Sequence, residues 1–132
     1  MDAFREKVED ILSRQKNIVI ILNGVANNPT GYCMSVEEWQ AVVDVLKHTV
    51  EGKDKNAVLI PDVAYLDYSG EKQECRRFFK VFGGLPKNIL TIVAYTLSKG
   101  FTLYGQRQGA MIGITSDADV AKEFVDINQY AS

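Results

Sequence analysis

The chain has 132 residues, 46% of them hydrophobic and 24% charged, with a net charge of −2. That length suits one domain whose core needs neither disulfides nor metal, and the charge balance argues against nucleic acid and membrane surfaces as partners, because both draw on basic patches. No apolar run is long enough to span a bilayer, and Cys33, Cys75 and the single His48 lack a metal-binding pattern, which predicts reduced thiols, no metal and a cytoplasmic setting. The N-terminal MDAFREKVED does not follow the plan of a signal peptide. Phe4, Val8, Ile11 and Leu12 instead share one helical face, with Asp2 as the expected N-cap. NIVIILN comes next, a β-branched run expected to be buried on both faces, as parallel strands are. It closes in NGVANNPTGY, whose Asn-Pro and Gly mark a loop. A second helix is predicted from Ser35, where S-V-E-E forms a capping box: the Ser35 hydroxyl and the Glu38 carboxylate each accept from a free backbone N–H. Trp39, Val42, Val43 and Leu46 make its apolar stripe, and Trp39 is read as core; His48 is a favourable dipole contact near the helix C-terminus.

After the linker EGKDKN, AVLIPDVAY reads as a second buried strand with a polar end. KQECRRFFKVF is predicted helical, with Cys75, Phe78, Phe79 and Phe82 inward, stopping at Gly83-Gly84. NILTIVAYT and GAMIGIT are the third and fourth strands, and a last helix, DADVAKEFVDINQY, begins around Ser116 and Asp119. Alternating helices and buried strands predict an α/β fold, a mostly parallel sheet with helices packed on it, in one domain over residues 1–132. The stretch from Lys99 to Gly109 has no room for a crossover helix, so the last strand is expected to be antiparallel. Ligands of such sheets gather beyond the carboxyl ends of the parallel strands. Three polar clusters fall there: Asn27/Asn28, Asp62/Tyr65 and Thr96/Ser98/Lys99.

Each candidate has an ordinary explanation. Lys99 reads as a solvated surface residue, Asp62 as a turn cap, Tyr65 as packing, NPTG as a turn and Arg107 as a surface ion-pair partner. One ligand would use all of them. Lys99 offers an amine able to condense with an aldehyde. Arg107, Thr96 and Ser98 suit a phosphate. Asp62 can hold a proton on a ring nitrogen, and Tyr65 and Asn28 can donate to a phenolate. An aldehyde, a phosphate, a basic ring nitrogen and a phenolate describe pyridoxal phosphate.

NNPTG (27–31), D-V-A-Y (62–65) and S-K-G-F-T-L-Y-G-Q-R-Q-G (98–109) resemble the signature segments of class I/II aminotransferases in their aspartate/aromatic branch, in the family's order. The resemblance implies a fold-type I, pyridoxal-phosphate-dependent enzyme that moves an amino group between an amino acid and a 2-oxo acid, and a homodimer. It implies that Lys99 binds the cofactor as a Schiff base and shuttles the proton at the substrate's α-carbon. Asp62 pairs with the ring nitrogen, Tyr65 and Asn28 bind the phenolate oxygen, and Arg107, Thr96 and Ser98 bind the phosphate. Gly105 and Gly109 fit the turn beside that phosphate. The chain is expected to be the central part of the large cofactor-binding domain, with the ring-stacking aromatic and the arginine for the substrate carboxylate outside it. By itself it is expected to be inactive and to self-associate. The alternatives are a fragment of a fold-type I lyase or decarboxylase, which would share Lys99, Asp62 and Arg107, and a non-catalytic association module.

Overall fold

The structure, a computed structural model, describes residues 1–131. Helix α1 (Asp2–Arg14) leads into β1 (Asn17–Leu22), α2 (Val36–Val50) and β2 (Asn56–Pro61). A 3-10 segment over Glu74–Phe82 precedes β3 (Ile89–Thr96), the single-turn helix α3 (Leu97–Gly100), β4 (Gly109–Ile114) and α4 (Ala118–Ala131). The strands lie in the order β1-β2-β3-β4. The first three are parallel, with Ile18 opposite Ala57 and Val58 opposite Leu90, and β4 returns antiparallel with Thr96 opposite Gly109. This is the α/β, mostly parallel arrangement that the alternating pattern predicts.

One face of the sheet builds the core. Ile18, Ala57, Leu59, Ile89 and Val93 are buried beneath α2, whose Trp39, Val42, Val43, Leu46 and Val50 are almost wholly enclosed. Trp39 stacks on Phe78 at a centroid distance of 5.2 Å and meets Phe82 edge-on at 5.7 Å, which places it in the core as expected. The capping box forms: the Glu38 N–H donates to Ser35 Oγ at 3.1 Å and the Ser35 N–H to Glu38 Oε2 at 2.8 Å.

Four local expectations are corrected. β1 is not buried on both faces: Val19 and Ile21 are 61% and 68% exposed, because no described element covers the face on which they lie. The Glu74–Phe82 segment winds as a 3-10 helix. Its inward residues pair at a spacing of three (Cys75 with Phe78, Phe79 with Phe82), which eclipses them in that tighter helix. Asp2 does not cap α1; it is the first helical residue, with Met1 at the cap position and no side-chain cap. Asp117, between the two expected starters, caps α4 by accepting from the N–H groups of Asp119 at 2.9 Å and Val120 at 3.2 Å.

Helix α4 crosses the second sheet face at β4, where the Phe124 ring fills the space above Gly113; a Cβ on that glycine would lie 2.8 Å from the ring. Gly109 is constrained differently, since a Cβ there would be 2.6 Å from the Tyr95 carbonyl oxygen across the ladder. Gly105, expected to need the same clearance, has open space around it. Gly109→Ala is therefore expected to cost about 1–3 kcal/mol by overpacking, while Gly105→Ala stays within about 0.5 kcal/mol of the unsubstituted protein; urea unfolding of the pair checks this.

A hydrogen bond from Tyr32 Oη at 2.5 Å, and after it the Ser35 N–H, hold the Glu38 carboxyl below the usual carboxylate range. A lowered folded-state pKa adds stability that is fully present above the unfolded value of about 4.3 and is lost as pH falls through the folded value. Glu38→Gln should flatten that part of the acid unfolding profile, and Ser35→Ala should cost about 1 kcal/mol at neutral pH, both read from unfolding midpoints between pH 7 and pH 3.

Candidate active site at the strand ends

β1 and β2 run in register to Leu22 opposite Pro61, so the next residues out, Asn23 and Asp62, emerge side by side. Asn23 Nδ2 donates to Asp62 Oδ2 at 2.9 Å, and the Ala64 N–H donates to Oδ1 at 3.1 Å. Each oxygen of this half-buried carboxylate thus has one partner and keeps a lone pair directed elsewhere. Asn23 was not among the residues singled out from the sequence. Its only signal there is a polar side chain directly after a β-branched run, and its partner is fixed by register.

Asn23 also organises the loop after β1. Its Oδ1 accepts from Asn27 Nδ2 at 2.9 Å and from the Asn28 N–H at 3.2 Å. The Asn27 N–H and the Tyr32 carbonyl close the loop at 2.9 Å, and Thr30 Oγ1 donates to Asn27 Oδ1 at 2.7 Å. Asn28 sits exposed on this loop, and its side chain makes no hydrogen bond among the described residues.

The third cluster is a single turn. Thr96 caps α3: its Oγ1 accepts from the Ser98 N–H at 3.2 Å and donates to the Gln108 carbonyl at 3.3 Å. The Leu97 N–H reaches the same carbonyl at 3.1 Å, so the chain before Lys99 is tied to the chain after Arg107. Ser98 is buried. Lys99 is half-buried and places Nζ 5.6 Å from the centroid of the Tyr65 ring and 5.0 Å from that of Tyr104. No carboxylate among the described residues pairs with Lys99.

Thr102 and Arg107 bracket the segment that carries Tyr104, and both take left-handed backbone, with φ of 55° and 52°. A β-branched residue rarely adopts that conformation, and such strain gathers where a segment is held for a purpose. Arg107 is exposed and makes neither a hydrogen bond nor an ion pair among the described residues. The structure thus brings Lys99 against Tyr65, Thr96 and Ser98 into the Lys99 turn, and Asp62 and Asn28 onto Asn23. Among the described residues no hydrogen bond or ion pair joins Asn28 or Arg107 to Lys99. The clefts between β4 and α4 are lined by residues such as Met111, Phe124 and Ile127, with Tyr95 and Gly109 at one end, and neither Lys99, Asp62 nor Arg107 lines them.

The family model for aminotransferase class I and II matches residues 1–129. The mitochondrial aspartate aminotransferase P2 of Lupinus angustifolius is 31% identical over 119 residues, covering 89% of this chain and 24% of that protein. The aromatic-amino-acid aminotransferase of Escherichia coli (strain K12) is 26% identical over 87% of this chain and 28% of its own length. Among solved structures, an aminotransferase from Anaerococcus prevotii DSM 20548 superposes with a TM-score of 0.91 at 41% identity, over 95% of this chain and 31% of that one. The aromatic-amino-acid aminotransferase of Burkholderia pseudomallei, covalently bound to pyridoxal phosphate, superposes with a TM-score of 0.69 at 25% identity, over 92% of this chain and 29% of that one. The chain spans 24% to 28% of the length of these curated relatives. A sheet of this order and direction, ending in a lysine-bearing turn, together with a family match over residues 1–129, places the chain in the class I and II aminotransferases.

Proposed function

We propose that this chain is the central part of the cofactor-binding domain of a pyridoxal-phosphate-dependent aminotransferase, which moves an amino group between an amino acid of aspartate or aromatic type and a 2-oxo acid. The observation that carries the proposal is the placement of Lys99: half-buried, without a carboxylate partner among the described residues, and set between the rings of Tyr65 and Tyr104 at the end of β3. The donor set fits the cofactor. An amine, a carboxylate with a lone pair to spare, a phenol, hydroxyls and a guanidinium unpaired among the described residues all stand on the rim where the parallel strands end.

When bound, pyridoxal phosphate supplies an aldehyde that takes up the amino group and a ring that accepts electron density from the substrate's α-carbon. Lys99 Nζ is assigned to hold the cofactor covalently and to move the proton at that carbon. Asp62 keeps a proton on the ring nitrogen, with Asn23 fixing its carboxylate from behind. Tyr65 and Asn28 donate to the phenolate oxygen. Arg107 forks onto the phosphate, with Thr96 and Ser98 beside it; the Thr96 hydroxyl would exchange its long bond to Gln108 for a phosphate oxygen.

The compartment is taken as cytoplasmic, with support from cytoplasmic aspartate aminotransferases of Caenorhabditis elegans and Dictyostelium discoideum among the relatives; no helix among the described residues is long and apolar enough to cross a membrane. The assembly is taken as a homodimer. Exposed Val19 and Ile21 on the open sheet face support self-association of the isolated chain, and sedimentation showing a monomer at high concentration would count against it.

Three substitutions in a full-length enzyme carrying this segment separate the roles. Lys99→Ala should abolish covalent attachment of the cofactor, read by borohydride trapping and peptide mass spectrometry. Arg107→Ala should weaken cofactor binding roughly ten- to a hundred-fold, as loss of a charge-assisted bond of about 1.5–3 kcal/mol. Asp62→Ala should preserve attachment while slowing exchange of the substrate's α-proton. Trapping unchanged in Lys99→Ala would overturn the assignment. The 132-residue chain alone should bind pyridoxal phosphate weakly at best and not transaminate.

A further inference from the structure

Helix α3 is one turn long, closed by a single Phe101 N–H to Leu97 carbonyl bond of 3.1 Å. One turn has no stability of its own, because nucleating it costs more than one hydrogen bond returns. The direction of the Lys99 side chain must therefore be set from outside the helix. The Gln108 carbonyl holds its first residue, Leu97. Its last two residues are held by a different part of the chain.

That part is the turn following Asp62 and Tyr65. The turn is itself well fixed: Leu66 is buried, its N–H donates to the Val63 carbonyl at 3.0 Å, and the Tyr68 N–H donates to the Tyr65 carbonyl at 2.9 Å. From it, Tyr68 Oη donates to the Lys99 carbonyl at 2.8 Å. Beside it, Asp67 Oδ2 accepts from Tyr95 Oη at 2.8 Å, and Asp67 Oδ1 accepts from Arg76 Nη2 at 2.7 Å. The same Oδ2 lies against Gly100 so closely that a Cβ there would collide with it. The Asp67 and Arg76 side chains are only 31% and 30% exposed, so this pair is better shielded than the surface ion pairs on α1 and α4.

We propose that Asp67 is a positioning residue for Lys99: bound to Tyr95 and Arg76 and pressed against Gly100, it locks the turn that carries Tyr65 to the turn that carries Lys99. Tyr65 and Lys99 then keep one relative placement. Neither Asp67 nor Tyr95 needs to touch cofactor or substrate. The carboxylate also pushes the Tyr95 phenol up from its ordinary pKa, first through their hydrogen bond, so the hydroxyl keeps the proton that it donates. Arg76 supplies the countercharge that makes a partly buried carboxylate tolerable. The role rests on the reading of Lys99 as the cofactor lysine.

The test uses the 132-residue protein without cofactor first. Acetic anhydride labels lysine amines according to their exposure and protonation, and mass spectrometry reads each site. In Tyr95→Phe, which deletes one oxygen, and in Asp67→Ala, Lys99 should acetylate about two- to tenfold faster, the loosening expected when one net hydrogen bond is lost. Lys7, Lys47 and Lys122 should keep their rates. A merely structural role would move all four together through global opening, or none. If Asp67→Ala does not fold, Tyr95→Phe alone decides. Lys99 changing no more than the other three overturns the proposal. In the second arm, pyridoxal phosphate and borohydride are added to a full-length enzyme carrying this segment, unsubstituted and with each variant; trapping at Lys99 should slow in the variants. Absence of trapping at Lys99 in the unsubstituted enzyme overturns the cofactor reading, and with it this role, and is told apart from failure of the tie by the acetylation result.

Discussion

Where β2 leaves the sheet, the Asp62 N–H donates to the Leu22 carbonyl at 2.9 Å and the Val63 N–H donates to the Ala94 carbonyl at 3.0 Å. Two adjacent residues are thereby stitched to the strands on either side. Val63 is buried to 1% exposure, and successive side chains of an extended chain point to opposite sides, so Asp62 is turned away from that core. A half-buried carboxylate needs partners. Asn23 and the Ala64 N–H supply them, and Asn23 in turn carries the Asn27 and Asn28 loop. The backbone pairing of three parallel strands is thus what assembles a polar rim from segments nearly forty residues apart in sequence.

The lysine side of that rim obeys a different physics. β3 and β4 are joined by a short connection that carries α3, a 3-10 turn over Tyr104–Gln106 and two strained residues, Thr102 and Arg107. None of these pieces is long enough to be stable alone. Their geometry comes from what they are fastened to: the Gln108 carbonyl at one end, the turn after Asp62 at the other. Rigidity at Lys99 is therefore borrowed from the same segment that presents Tyr65, which is a means of preorganising a site without a long supporting element.

What the sequence disclosed depended on how local the deciding interaction is. The capping box at Ser35 and Glu38 lies within four residues and was readable, as was the antiparallel β4, because the connection before it is too short for a crossover. The exposure of Val19 and Ile21 was not readable: NIVIIL is apolar at every position, which says that both faces suit burial but not whether a layer lies over each. Phe78, Phe79 and Phe82 satisfy spacings of three and four alike, so α and 3-10 winding could not be told apart. Asn23 and Asp67 act through partners 39 and 28 residues distant, fixed by sheet register and by the fold of the turn, and no local pattern points to either. The strand-end clusters were legible because parallel strands place their carboxyl ends together whatever the intervening helices do.

The central claim is that the groups on this rim act as one site for a phosphate-bearing pyridine. Backbone amide chemical shifts of the isotopically labelled chain, followed while pyridoxine 5′-phosphate is added, test it most directly, since that probe has no aldehyde and reports the contacts of ring and phosphate alone. The account predicts shifts concentrated at Asp62–Tyr65, Thr96–Lys99 and Arg107–Gln108. Shifts confined to the cleft between β4 and α4, or spread evenly over the surface with these segments unmoved, would contradict it.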